Sequence, residues 1–191
     1  MSGTRVRRRG PGSRADEHHP TRRELVNAAA IVAERDGLAA LSVDSVTRTA
    51  GHAKGTFYVH FADRSELLID LHRRFHEELF QRIRESSAAI PAGPERARMM
   101  ITSFLDGCRQ QVGVRSMLLQ ARGLPEIADL ARQRNTEAAR EIASNLSAAT
   151  PTPLETAQLL VGATVEIALQ ELHTGKRLSR LRSALLNMIP D

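Results

Sequence analysis

Apolar residues recur along this chain every three to four positions, and nowhere do they alternate with period two over a useful length. The pattern predicts an all-α fold. After Thr21, the residues Leu25, Ala28, Ala29 and Val32 share one helical face, and Gly37 is placed to close that helix. Ser42 is a side-chain cap for a short second helix, residues 43–50, in which Val43, Val46 and Ala50 recur at helical spacing before Gly51 breaks it. A third short helix is expected over about 53–60. Asp63, with Glu66 three residues on, opens a long fourth helix through Leu67, Leu71, Phe75, Leu79 and Ile83.

The breaker cluster 89–94 ends that run. Ala97, Ile101, Phe104, Leu105, Cys108 and Val112 then mark a fifth helix that Gly113 stops. A shorter sixth is expected at 114–122, and a charged amphipathic seventh at 126–148. Pro151 and Pro153 restart the chain into an eighth helix, 154–173, which Gly175 ends. Leu178, Leu181, Leu185, Leu186 and Ile189 make a ninth. No repeat of fixed period is present.

Composition narrows the class. The 191 residues are 41% hydrophobic, enough for a globular protein of one good core or two small ones. A single cysteine, Cys108, excludes an intrachain disulfide framework and a cysteine-cluster metal site. No apolar run approaches the roughly 18 residues of a membrane span, and no apolar signal core follows the basic start, so the expected address is the cytosol. No Gly-rich phosphate loop, nucleophile elbow or Cys/His metal set appears, so no enzyme is expected. His72 and His76 stand four residues apart, a spacing that lets two imidazoles share a metal. No third ligand is evident, and both are expected on a partly solvated face.

The charge is unevenly placed. The formal net charge is +5, but residues 1–64 hold 11 basic and 7 acidic residues, so +4 of it lies in the first third. Arg5, Arg7, Arg8, Arg9 and Arg14 share their segment with Gly10, Pro11, Gly12 and Ser13, a composition that builds no core and is expected to be a flexible arm over 1–20. Such an arm suits a polyanion through counterion release, or is a solvated start with no fixed partner.

Three short helices with a Gly turn between the second and third describe a helix-turn-helix unit. Turning the third through about 100° per residue sets Phe57 and Phe61 on one side and Gly55, Thr56 and Val59 on the other. The aromatics are expected inside. The opposite side is small and polar enough to enter a major groove about 12 Å wide, with Lys54, Tyr58 and His60 at its margins.

The stretch from Thr21 to Asp70 resembles the DNA-binding domain of TetR-family transcriptional regulators. Ala29, Gly37, Ser42, Ala50-Gly51, Gly55-Thr56-Phe57-Tyr58, His60-Phe61 and Leu67-Leu68 carry the likeness in register over some fifty residues. The resemblance implies a DNA-binding domain at 21–66, and an effector-binding and dimerisation domain at 67–191. Carried over by position, Lys54, Gly55, Thr56 and Val59 would face base edges, while Ser42, Tyr58, His60 and Arg64 would hold phosphates. It also implies a homodimer through the helices at 154–173 and 178–189, and a small-molecule effector among the fourth to seventh helices. Phe75, Met100, Phe104, Cys108, Met117 and Gln120 are the candidates there, with no cofactor or metal.

Three positions depart from the family's pattern. Ala53 stands where Ser or Thr is common, a missing cap that costs about 1 kcal/mol locally. His52 replaces a small apolar residue at the turn, and Arg64 replaces a Lys. The expected function is a sequence-specific transcriptional regulator, most often a repressor, that a small molecule releases from its operator. The alternative is a non-specific architectural protein bound to nucleic acid through its arm.

Overall fold

Helical spacing yields eight α-helices and one 3₁₀ turn, with no strand, among the described residues, 19–110 and 125–191 of a computed structural model. The helices are α1 (Pro20–Asp36), α2 (Val43–Ala50), α3 (Lys54–His60), α4 (Arg64–Ser87), α5 (Pro94–Gln110), α6 (Pro125–Leu146), α7 (Pro153–Thr174) and α8 (Ser179–Asn187). The 3₁₀ turn, Leu38–Ala40, was not foreseen. The helix expected at 114–122 lies outside the described residues, as do most of the arm, Met117 and Gln120. The chain divides into two compact units, 1–71 and 72–191, and the division falls inside α4 rather than at the 66–67 boundary expected from the sequence.

In the first unit, α1 packs on α2 and α3 around Leu25, Ala29, Val32, Val46, Phe57 and Phe61, all buried. The first helix begins earlier than expected, at Pro20, because proline's fixed φ suits a first helical position and His19 caps it. The Nδ1 of His19 accepts from the Thr21 backbone N–H at 3.2 Å. Ser42 and Ser45 cap α2 reciprocally: each hydroxyl accepts from the other's backbone N–H, at 3.1 and 2.9 Å. Gly51, at φ 71°, takes the left-handed turn that separates α2 from α3. Ala53 offers α3 no side-chain cap, as the sequence implied. Asp63 accepts from the Glu66 N–H at 3.0 Å to start α4, and Glu66 reaches back to the Ala62 N–H at 2.7 Å.

In the second unit, α6 lies along α7, α5 packs on both, and α8 packs on α7. Helix α5 comes close to α4 at Gly107, where an added Cβ would run into the buried side chain of Leu79. A buried ion cluster joins three helices. Arg182 of α8 grips Glu171 of α7 with two hydrogen bonds, Nε to Oε1 at 2.7 Å and Nη2 to Oε2 at 2.6 Å, and also donates to Asp106 of α5. The Leu178 N–H donates to Glu171 as well, at 2.7 Å.

Burial pushes the Glu171 carboxyl up, but the Arg182 hydrogen bonds, the Leu178 N–H and the nearby positive charge outweigh it and hold the carboxyl below its ordinary value of 4.5. The unfolded chain therefore takes up this proton first, and the contribution of Glu171 is complete above about pH 4.5 and lost as pH falls through the lower native value. Urea unfolding of the native chain and of Glu171→Gln should show a stability gap that is widest near neutrality and narrows below that pH. No helix among the described residues is long and apolar enough to cross a membrane.

Candidate functional site

The outer face of α3 is the first candidate. Phe57 and Phe61 are buried with their ring centroids 5.3 Å apart, so the helix is pinned from one side. Lys54, Gly55 and Tyr58 are exposed, and Thr56 and Val59 are half-buried. Tyr58, 52% exposed, meets the edge of the Phe57 ring, which steadies a phenol that points away from the core. Lys54 pairs with Asp44 of α2 at 2.9 Å, and that hydrogen bond, with the carboxylate's charge, holds the ammonium more firmly protonated than usual. Ser42 and Arg64 are exposed. The Ser42 hydroxyl is also engaged in its own cap. His52, at the turn, lies outward enough to contact Glu24 of α1 at 2.7 Å.

His60 is a correction. Its side chain was expected at the margin of the face, within reach of phosphate, but it is only 2% exposed and packs at 4.7 Å against the His19 ring. The reason is tertiary: α1 extends back to Pro20 and brings His19 over the end of α3.

Arg22 was missed altogether. It is buried, and its guanidinium lies 4.2 Å over the Phe61 ring. Its Nε donates to Asp70 at 2.7 Å, its Nη2 to Glu66 at 3.0 Å, and its Nη1 to the His60 carbonyl. One side chain of α1 thus fixes the last carbonyl of α3 against the first two turns of α4. The available signal was the helical register: Arg22 falls one turn before Val26 and two before Ala29, on the apolar stripe.

The second candidate is a cavity within residues 72–191, of about 500 Å³ including its open mouth. Helix α4 contributes His76, Phe80 and Ile83; α5 contributes Met100, Ile101 and Phe104; α6 contributes Arg134, Asn135, Ala138 and Ile142; and α7 contributes Val161, Thr164 and Val165. Two expected residues, Met100 and Phe104, line it. Phe75 does not: it is buried elsewhere, edge-on to the His76 ring at 5.4 Å. Cys108 borders a separate small cavity with Arg109, Ala168, Glu171, Leu172 and Gly175. His72 and His76 are buried with ring centroids 4.4 Å apart, not partly solvated, because their side of α4 faces the core. Among the described residues no three potential ligands gather as a metal site would require.

Residues 25–71 match the sequence model of a family described as bacterial regulatory proteins, tetR family. An uncharacterized HTH-type transcriptional regulator of Haemophilus influenzae is 32% identical over 133 residues, which are 69% of this chain and 62% of that protein. Residues 25–71 form a TetR-family domain.

Solved relatives agree on the fold. A transcriptional regulator from Rhodococcus sp. Rha1 superposes with a TM-score of 0.74 at 20% identity, covering 88% of this chain and 93% of that one. The multidrug binding protein EbrR, complexed with malachite green, superposes with a TM-score of 0.66 at 26% identity, covering 89% and 98%. The apolar residues of α7, of α8 and of the turn after it include a buried and an exposed set. Leu160, Ile167, Ala168, Leu185 and Ile189 are buried in the subunit, whereas Leu159, 70% exposed, Leu154, Leu181 and Met188 face outward, with Gly162 exposed beside them.

Proposed function

We propose that this chain, with its TetR-family domain, is a sequence-specific DNA-binding transcriptional regulator, working as a homodimeric repressor that a small molecule releases from its operator. The observation that carries the reading is α3. Its inner side is locked by Phe57 and Phe61, and its outer side presents Lys54, Gly55 and Tyr58, with Thr56 and Val59 half-exposed between them. Base edges fall to Lys54, Gly55, Thr56 and Val59, and phosphates to Ser42, Tyr58 and Arg64. The exposed leucines of α7 and α8 support a twofold interface, which requires paired half-sites in the operator. The cavity supports an effector site, and EbrR, a structural relative, forms a complex with malachite green. An effector acts by preferring one arrangement of the reader over another. Such a regulator works beside the chromosome, in the bacterial cytoplasm.

The test is to recover the operator from a genomic DNA pool with the full chain and to titrate it with variants. Thr56→Ala/Tyr58→Ala should bind the operator at least about 100-fold more weakly while changing non-specific affinity less than about threefold. Unchanged operator binding in that variant overturns the reading. Removal of residues 1–14 separates it from arm-driven binding: loss of all binding on truncation, with the α3 variant unaffected, selects the architectural alternative.

A further inference from the structure

The charges around the cavity identify the kind of molecule it admits. Among the described residues the lining is apolar apart from four side chains, His76, Arg134, Asn135 and Thr164. The Thr164 hydroxyl is already committed, donating to the Leu160 carbonyl at 2.7 Å. The His76 ring lies tilted against the His72 ring. Arg134 is the one permanently charged group in the lining among the described residues, and it is already countered: Nη1 donates to Glu137 at 2.9 Å and Nη2 lies 3.5 Å from Glu77. Glu137 is kept ionised by a hydrogen bond from Gln133 and, against some burial, by Arg134 and the charge of Arg140. Among the described residues, two carboxylates thus stand against two guanidinium groups around Arg134.

An ion entering such a site leaves water for an apolar wall and meets no uncompensated counter-charge, which is unfavourable for a carboxylate and for an ammonium alike. Beside the Asn135 amide, which also lines the wall, a second donor stands out. The Nε–H of Arg134 is buried and makes no hydrogen bond. A buried donor without an acceptor is costly, and an incoming acceptor relieves that cost without adding charge.

We propose that the effector is an uncharged, largely apolar molecule with a hydrogen-bond acceptor, such as a ketone or ester carbonyl, that takes the Arg134 Nε–H. This rests on the cavity being the effector site. It sets the chain apart from a binder of lipophilic cations, for which an uncompensated acid would have to line the wall.

The test uses the full chain at pH 7.5 and four probes of one shape: 4-acetylbiphenyl, 4-isopropylbiphenyl, biphenyl-4-carboxylate and biphenyl-4-carboxamidinium, measured by titration calorimetry. The ketone should bind at least about tenfold more tightly than either ion, and about three- to tenfold more tightly than the hydrocarbon. Arg134→Met removes the donor and should erase the ketone's advantage over the hydrocarbon. The same change leaves Glu77 and Glu137 with Arg140 alone, one carboxylate in excess, and should strengthen the amidinium. Ala138→Phe, or Val165→Phe should the first fail to fold, fills the cavity and should abolish binding of all four. Either ion binding the native chain as tightly as the ketone overturns the proposed effector class alone. Absence of binding by every probe, or binding insensitive to the filled cavity, overturns the cavity reading and this inference with it.

Discussion

Arg22→Ala is expected to destabilise the first unit by about 3–5 kcal/mol, the range for removing one member of a buried, hydrogen-bonded ion cluster. The guanidinium is met on three edges, by Asp70, Glu66 and the His60 carbonyl, and on one face by Phe61. Truncation takes away the charge that offsets a carboxylate at Asp70 whose side chain is only 10% exposed. It also removes the apolar stem that packs beside Phe61. Arg22→Met separates the two effects, because it keeps most of the stem and loses only the polar contacts. Arg22→Lys retains one point charge and cannot satisfy three directions at once, so it should fall between native and alanine. The measurement is convenient: Tyr58 is the sole tyrosine and there is no tryptophan, so intrinsic fluorescence during urea unfolding reports this unit. A loss below about 1 kcal/mol for alanine would refute the role given to Arg22.

Arg182→Leu is expected to cost about as much in the second unit, and to reverse the pH response. Glu171 is 1% exposed at its side chain, and without Arg182 burial becomes the dominant influence on its carboxyl. The native value then rises above 4.5 instead of lying below it. Stability of the variant should therefore increase as pH is lowered from neutrality into the range where the native carboxyl protonates, whereas the native chain loses the Glu171 contribution on acidification. The double replacement Arg182→Leu/Glu171→Leu should recover most of the loss, since an apolar pair of similar volume replaces a pair whose desolvation is costly. Urea midpoints of the three proteins at pH 7 and pH 5 decide it, and a single variant with the native pH dependence would refute the assignment.

The two arginines show where sequence pattern is informative and where it is silent. Ser42, Gly51 and Asp63 punctuate the chain through bonds to neighbours within a few residues, and Gly175 through its left-handed backbone, so helix ends at these positions could be read directly. Arg22 finds its partners 38 to 48 residues away, and no local rule links an Arg on an apolar stripe to acids that far along. His60 failed for the same reason: its helical angle was correct, but burial came from His19 in another helix. The α3 face was legible because Phe57 and Phe61 fix which side turns inward. The cavity was only partly legible, because which side of a helix lines a space depends on how four helices rotate against each other. Met100 and Phe104 met it, Phe75 and Cys108 faced elsewhere in the core, and the contribution of α7 was hidden behind its expected dimer role.

The missing cap at Ala53 sets a mechanical property of α3. Seven residues are fewer than the roughly 12–15 at which a helix sustains itself in water, so its order is imported from the core. That support is graded. From Phe57 onward the helix is anchored by two buried rings and by the bond from the Phe61 N–H to the Phe57 carbonyl at 2.8 Å. Over Lys54 to Thr56 it is held by the Thr56 N–H to the Ala53 carbonyl at 2.9 Å and by the exposed Lys54–Asp44 pair, with no buried side chain. The reading head is therefore stiff at its rear and compliant at its tip. In the proposed operator complex, the tip would complete its order against the groove, trading some affinity for tolerance of small variations in local DNA shape.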